Sequence, residues 1–342
     1  MRYRRFGKTN LQIPVISCGG MRYQASWQVG DPIPPESQEN LEACIRRAVE
    51  LGINHIETAR GYGTSEEQLG RILPTFDRDT LIVQTKGAPK PEVAEFAANF
   101  EDSMRRLRLD YLDLFALHGV NNEEKYDWAM RCLDQVRTYQ REGRIRHVGF
   151  STHGPTDLIL KLIRTGEFEY VNLHWYYIFQ ENWPAIAEAA SRDMGVFIIS
   201  PNDKGGMLYR PTQDLVDLCK PLHPMVFNGL FCLSRPEVHT LSCGVARPSD
   251  FDAHLEIAER LDEAEALTTP IAARLDAAMV ETFDPEWFTG WRNGLPEWEE
   301  TPGEINIPVI LRLYNLARAY DMVEYGKMRY NLLGKGDDWF PG

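Results

Sequence analysis

Short apolar runs alternate with amphipathic stretches between Val15 and Leu261, and this alternation limits the fold more than any other feature of the chain. The runs predict eight strands, over Val15–Gly19, His55–Ala59, Thr80–Thr85, Asp113–His118, His147–Ser151, Tyr170–Tyr176, Val196–Ser200 and Thr240–Cys243. Between and after them, apolar residues at helical spacing predict helices over Ser37–Leu51, Ser65–Leu73, Pro91–Leu109, Tyr126–Glu142, Thr156–Thr165, Trp183–Met194 and Pro248–Leu261. Strands that are apolar on both faces suit a parallel sheet covered by helices. Eight βα units in about 250 residues match a (β/α)8 TIM barrel. An open doubly wound sheet is the competitor, but the Gly-rich turn that should follow its first strand is missing.

The expected fold class is therefore α/β, a TIM barrel with two additions. Residues 1–14, with Gly7 between Arg4-Arg5-Phe6 and Leu11–Ile13, predict an N-terminal β-hairpin over the barrel floor. After the barrel (1–262), residues 263–342 fit no further βα unit and read as a C-terminal helical extension. In it, Glu263–Glu281 and Ile307–Met328 read as helices, and Phe283–Gly303, rich in Trp, Pro, Gly and Glu, reads as loop.

Composition narrows the function. Lys and Arg number 37 against 50 Asp and Glu, a formal charge of −13. That balance argues against broad contact with nucleic acid or an anionic membrane surface. No apolar run is long enough to span a bilayer. The start, Met1-Arg-Tyr-Arg-Arg, lacks a signal peptide's apolar stretch, so a cytoplasmic location is expected. Cys18, Cys44, Cys132, Cys219, Cys232 and Cys243 show no metal-ligand spacing, which predicts free thiols and no metal.

The C-terminal ends of barrel strands converge on one rim. The second strand runs into Glu57-Thr-Ala-Arg-Gly-Tyr62, the third into Gln84-Thr-Lys86, the fourth into His118 and the fifth into Ser151-Thr152-His153. A tyrosine hydroxyl, with a pKa near ~10, is a weak acid at neutral pH. A buried lysine beside it favours the phenolate, and Glu57 can supply the lysine's counter-charge. His118 can hydrogen-bond a carbonyl oxygen and orient it. The set suits a general acid that protonates an oxygen as hydride reaches carbon. A single strand-end Lys or His is usually just a satisfied polar group, but four such groups at successive strand ends make coincidence a weak account.

Arg5-Phe-Gly-Lys-Thr, His55-Ile-Glu-Thr-Ala-Arg-Gly-Tyr-Gly-Thr-Ser-Glu-Glu-Gln-Leu-Gly, Thr85-Lys86, Leu117-His118 and Gly149-Phe-Ser-Thr together resemble an aldo/keto reductase over roughly residues 1–260. The resemblance implies an NAD(P)H-dependent barrel acting on aldehydes and ketones. It makes Tyr62 the general acid, Lys86 its neighbour and His118 the carbonyl orienter. Glu57 stands where the family has an aspartate, and it counts toward both the proton-transfer set and the cofactor contacts. Ser151, Thr152 and Asn172 take the positions that hold the nicotinamide carboxamide. Gly19, Gly20 and Met21 match the first-strand loop that touches cofactor and substrate. Ser200, Pro201, Asn202, Lys204 and Gly206 fall in the pyrophosphate loop, where Asp203 is unusual and Lys204 can offset it.

Gly244, Arg247, Asp250 and His254 fall in the adenosine-ribose region, with Asp250 where the family often has an arginine against the 2′-phosphate. A carboxylate repels that phosphate and accepts from a free 2′-hydroxyl, whereas Arg247 suits the phosphate. NADP is expected and NAD stays open. The extension resembles the ferredoxin-like helical module of one branch of these reductases, in Glu304-Ile-Asn-Ile-Pro308-Val-Ile-Leu-Arg-Leu-Tyr-Asn, but without cluster cysteines. It reads as a cluster-free lid or interaction surface, or as a plain helical buttress. Trp287, Trp291, Trp298 and Trp339 either pack on the barrel or line the entrance, while Trp175, Tyr176 and Tyr177 are better placed to shape the pocket.

The leading expectation is an NAD(P)H-dependent oxidoreductase that reduces a small-molecule aldehyde or ketone to an alcohol. The alternative is a nucleotide-binding regulatory or accessory protein with little turnover. A barrel lyase or isomerase would need a metal or phosphate site, and no ligand cluster for either is visible. The sequence names no protein partner, and the extension is the surface that would meet one.

Overall fold

The computed structural model describes residues 1–342, the side chain of Asp337 excepted. A two-stranded antiparallel hairpin comes first, β1 (Tyr3–Arg5) and β2 (Gln12–Pro14). Eight parallel strands follow with their helices: β3 (Ile16–Gly19), α1 (Pro35–Glu50), β4 (His55–Glu57), α2 (Ser65–Ile72), β5 (Ile82–Gly87), α3 (Val93–Leu107), β6 (Leu112–Leu117) and α4 (Glu123–Arg141). The second half runs β7 (Ile145–Ser151), α5 (Thr156–Arg164), β8 (Tyr170–Leu173), α6 (Trp183–Ser191), β9 (Gly195–Ile198), α7 (Gln213–Cys219), α8 (Pro224–Leu233), β10 (Thr240–Gly244) and α9 (Asp252–Glu259). Strands β3 to β10 form a closed barrel, in which Cys18 pairs with Ile56 on one side and with Cys243 on the other. The (β/α)8 barrel and its N-terminal hairpin are thus as the alternation of apolar runs implied.

The barrel floor is sealed by Phe6, which is fully buried with its ring 5.6 Å from that of Tyr170. Gly195 has to be glycine, because a Cβ there would lie 2.6 Å from the Phe6 ring. Above this plug comes a polar layer. His55 Nδ1 lies 2.6 Å from Ser17 Oγ, and His55 Nε2 lies 3.0 Å from Gln84 Oε1. Burial pushes the His55 pKa down to about 3, so the ring is neutral. Side chains alternate across a strand. His55 in this layer therefore places Glu57 one step higher on the same inner face, and Gln84 does the same for Lys86.

Helices α10 (Ala264–Thr282), α11 (Pro285–Gly290), α12 (Ile307–Tyr320) and α13 (Val323–Tyr330) make up the rest of the chain. Tyr320 Oη donates to the Leu275 carbonyl at 2.9 Å, and Thr212 Oγ1 donates to the Tyr320 carbonyl at 2.7 Å, which ties α12 to α10 and to the start of α7. Several elements differ from the sequence-based expectation. Helices α7 and α8 were not foreseen. Every residue of α8 except Phe231 is buried, so it carries no polar face to reveal a helical period. The expected strand over Tyr170–Tyr176 stops at Leu173, and beyond it Tyr176 bridges back to Phe179. Phe283–Gly303 contains α11, capped by Asp284 Oδ1 accepting from the Trp287 amide at 2.6 Å. The single helix expected over Ile307–Met328 is two, broken at Asp321 in the left-handed region (φ 52°).

Candidate active site

A cavity of about 470 Å³ opens at the C-terminal ends of the strands. Glu57, Tyr62, Lys86 and His118 all line it. They arrive from three neighbouring strands and the loops that follow them. Beyond β4 the chain still runs beside β5, with the Thr58 amide on the Gln84 carbonyl at 2.8 Å and the Arg60 amide on the Lys86 carbonyl at 3.0 Å. It then turns at Tyr62, whose amide donates to the Ala59 carbonyl at 2.9 Å. Gly63 makes this turn possible. Its φ is +55°, and a Cβ there would lie 1.9 Å from the Ser26 carbonyl oxygen.

Lys86 is the centre of the group. Its ammonium donates to a Glu57 carboxylate oxygen, to the Thr58 carbonyl at 2.8 Å and to Tyr62 Oη at 3.4 Å. The side chains of Glu57 and Lys86 are each 2% exposed, so the pair is held away from water. Ser242 Oγ donates to the other Glu57 oxygen at 3.4 Å. The extra methylene of glutamate therefore does not prevent the ion pair. The Tyr62 and His118 rings meet edge to face, with centroids 5.8 Å apart. Among the described residues no hydrogen bond engages the His118 ring nitrogens.

The electrostatics correct one expectation. Lys86 was expected to draw the Tyr62 pKa down, but burial outweighs it and pushes the phenol well above its usual range. Burial likewise pushes Lys86 well below the ordinary ammonium range. Tyr62 therefore holds its proton at neutral pH and is ready to give it. Burial, followed by the charges of Lys86 and Lys125, lowers the His118 pKa to about 3, so that ring is neutral.

The expected cofactor contacts divide. Met21, Ser151, Ser200, Pro201, Asn202, Lys204 and Gly244 line the cavity. Asn172 sits fully buried at the end of β8, and neither its amide nitrogen nor its amide oxygen has a partner among the described residues. Asn172 does not line the cavity; it pairs with Ser151, which does, so its unsatisfied amide is a buried polar group one residue behind the wall that awaits a partner. Other predicted residues are spent elsewhere. Thr152 Oγ1 donates to the Val120 carbonyl at 2.7 Å and accepts from the Gly154 amide at 2.9 Å, so it shapes the loop and leaves the cavity to Ser151. Gly20 packs under Glu57 and Ser65, and Gly206 lies against Met322. Asp250 accepts from Arg247 Nε at 2.8 Å and from the Ala246 and Arg247 amides at 2.9 and 3.2 Å, and thereby caps its own turn. His254 is buried behind Asn202, 3.4 Å from its amide nitrogen.

Trp175, Tyr176 and Tyr177 do not border the cavity. Trp175 stacks on Phe231 with centroids 5.0 Å apart, Tyr176 donates to the Ile199 carbonyl, and Tyr177 Oη donates to Asp276 at 2.6 Å. Their place is taken by Met328, Arg329, Leu332 and Trp339 of the extension, which line the cavity together with Tyr62. Of these only Trp339 was anticipated. Arg22 and Ser242 were missed as well, since neither belongs to a motif; Ser242 alone was reachable, as a strand residue one step from Gly244.

Residues 15–214 match the aldo/keto reductase family model, which is more than half of the chain. The chain belongs to the aldo/keto reductase family. Among curated proteins this family member is 29% identical over 182 residues to L-glyceraldehyde 3-phosphate reductase of Escherichia coli, a match covering 48% of the chain and 49% of that protein. It is 36% identical over 156 residues to D-arabinose 1-dehydrogenase of Saccharomyces cerevisiae, covering 43% and 44%. The chain thus spans about half the length of the curated relatives it matches. Among solved structures, the holo form of an aldo-keto reductase from Bacillus halodurans superposes with a TM-score of 0.64 at 20% identity, over 79% of this chain and 97% of that one, a likeness of fold.

Proposed function

We propose that this aldo/keto reductase reduces an aldehyde or ketone to an alcohol with NAD(P)H. The observation that carries the reading is Tyr62, protonated and 3.4 Å from an ammonium that is itself locked to a buried carboxylate. Ser151 and the unsatisfied Asn172 amide beside it in the sheet are the groups suited to the nicotinamide amide, with Ser200, Pro201 and Asn202 for the phosphates. Bound there, the cofactor supplies the hydride.

The chain's own residues do the rest. His118, neutral and without a hydrogen-bond partner among the described residues, donates to the carbonyl oxygen and fixes its direction. Tyr62 Oη delivers the proton to that oxygen as negative charge builds on it. Lys86 holds the phenol oxygen at 3.4 Å and steadies the phenolate left behind. Glu57 and the Thr58 carbonyl keep the ammonium in position, and burial keeps water from competing for the proton.

The intact set of four favours an enzyme over a nucleotide-binding accessory protein. NADP is the proposed cofactor, with the exposed Arg247 for its 2′-phosphate; the Asp250 carboxylate paired to it admits NAD. The names of the relatives, an L-glyceraldehyde 3-phosphate reductase and a D-arabinose 1-dehydrogenase, support a substrate that is a sugar, a sugar phosphate or a similar small carbonyl. We propose the extension to be a separate unit after residue 262 that closes the barrel mouth. Its helices are the stretch that resembles a ferredoxin-like module without cluster cysteines. The test is a titration with NADPH and NADH by tryptophan quenching, followed by a panel of aldehydes, ketones and quinones. Binding with turnover supports the reading, whereas tight binding without turnover on any of them favours the accessory protein.

A further inference from the structure

The cavity is electropositive inside an acidic chain. Arg22, Lys86, Lys204 and Arg329 line it against two carboxylates, Glu57 and Asp203. Each carboxylate already has a cation, Glu57 on Lys86 and Asp203 on Arg22 at 3.2 Å. Lys204 and Arg329 remain, and among the described residues no carboxylate oxygen lies within 4.0 Å of either.

Both are built into the site. Arg329 is 6% exposed and rests on aromatic faces, 4.3 Å from the Phe340 centroid and 5.8 Å from that of Trp339. The Lys204 ammonium lies 2.8 Å from His153 Nδ1 and 3.4 Å from His174 Nε2, and 5.0 Å from the centre of the Trp339 ring. Tyr176 Oη donates to the Ile199 carbonyl, so the hydrogen between it and His174 belongs to His174 Nδ1. The neutral His174 ring then turns a lone pair toward Lys204 and His153. Burial and the neighbouring charges push both histidines well below their usual range, so neither adds charge and neither neutralises any; burial and the Arg329 charge also push Lys204 well below the ordinary ammonium range, a shift that an anion beside it would reverse. The His174 lone pair takes the His153 Nδ1 hydrogen at 2.7 Å and lies 3.4 Å from the Lys204 nitrogen, so the two rings flank Lys204 without giving it a counter-charge. Tyr325 Oη on the Lys204 carbonyl at 2.7 Å joins this loop to the extension that carries Arg329.

A buried cation without a counter-ion is unfavourable. An anion between Arg329 and Lys204 supplies the missing counter-charge and favours the charged form of the lysine, and the arginine fork matches a carboxylate or phosphate. We propose that the substrate of this site carries an anionic oxyacid group, held by Arg329 and Lys204 while its carbonyl lies at Tyr62 and His118. The inference rests on the reading of the cavity as a carbonyl-reducing site. It also gives the extension a task, since Arg329 belongs to α13.

The test separates binding from turnover and uses the full chain. Benzoate, phenyl phosphate and benzyl alcohol are titrated in the presence of NADP⁺, followed by tryptophan fluorescence. The wild-type protein should bind at least one of the two anions about tenfold or more tightly than benzyl alcohol, and the better anion identifies the group. Arg329→Met should weaken that anion by roughly tenfold to a hundredfold, with partial recovery in Arg329→Lys. Equal affinities for all three ligands in the wild type overturn the proposal without any variant. So does a loss in Arg329→Met that falls on NADPH binding and spares the anion, which would assign the cations to the cofactor's phosphates. Turnover is then compared for 4-carboxybenzaldehyde and benzaldehyde. A preference for the charged aldehyde supports the proposal, and equal kcat/KM overturns it. If anions bind selectively but neither aldehyde nor any other carbonyl is reduced, the reductase reading fails while the anion site stands.

Discussion

Lys86→Met removes one half of a buried ion pair, and its consequences can be followed separately in stability and in activity. Both side chains are 2% exposed. At an effective dielectric near ~20, unit charges about 3 Å apart attract by roughly 5 kcal/mol. Breaking such a pair from one side destabilises by roughly 3–5 kcal/mol, because the remaining charge stays buried. Here that charge is Glu57, left with Ser242 Oγ at 3.4 Å, and the Thr58 carbonyl loses its donor as well. Lys86→Met should therefore unfold at much lower urea. The double variant Glu57→Gln/Lys86→Met has no buried charge and should lie within about 2 kcal/mol of wild type; with Glu57→Gln alone also costing roughly 3–5 kcal/mol, the cycle should show a favourable coupling of at least about 4 kcal/mol. Activity should behave differently. Both variants lack the ammonium next to Tyr62, so both should fall by at least about a hundredfold in carbonyl reduction. The assay is urea unfolding by tryptophan fluorescence, set beside steady-state reduction of an accepted aldehyde. Additive stability losses, or a double variant that regains reduction with its stability, would refute the reasoning.

Four further outcomes are expected. The pH profile of kcat for reduction should show no limb from His118 between about pH 5 and 8. Its pKa is depressed to about 3, so the ring is already neutral throughout; an inflection near ~6.5 that disappears in His118→Asn would count against this. For the same reason stability should fall as the solution is acidified below the unfolded histidine pKa. His55 and His118 (about 3) and His254 (about 4) stay neutral while the unfolded chain takes up protons. Asp250→Asn should release Arg247 from its 2.8 Å contact and raise the NADPH-over-NADH ratio of kcat/KM by about tenfold, whereas an unchanged ratio would remove this turn from the cofactor site. Gly195→Ala should destabilise by about 1–3 kcal/mol through the 2.6 Å clash with Phe6 at the floor, with little effect on KM; a variant as stable as wild type would contradict the packing.

The barrel was legible because its strands are buried on both faces and its helices on one, and each pattern leaves a period in the sequence. The same reasoning failed at α8, which is buried nearly all round, and at β8, which is cut short by the turn beyond Leu173. Glu57, Tyr62, Lys86 and His118 could be found because strand order alone brings them to one rim. Arg329 could not. It reaches the cavity through the packing of α12 and α13, a long-range arrangement with no strand-end position to announce it. The Tyr62 pKa was misread for a related reason. Sequence can place a lysine beside a phenol, but it does not reveal how little water surrounds both.

Reduction of an accepted aldehyde with NADPH or NADH deuterated at the transferred position, in wild type and in Tyr62→Phe, tests the central claim most directly. The account predicts deuterium on the carbinol carbon of the wild-type product. It also predicts a rate at least about a hundredfold lower in Tyr62→Phe, with cofactor binding retained. Deuterium-free alcohol, or undiminished reduction without the Tyr62 hydroxyl, would contradict it.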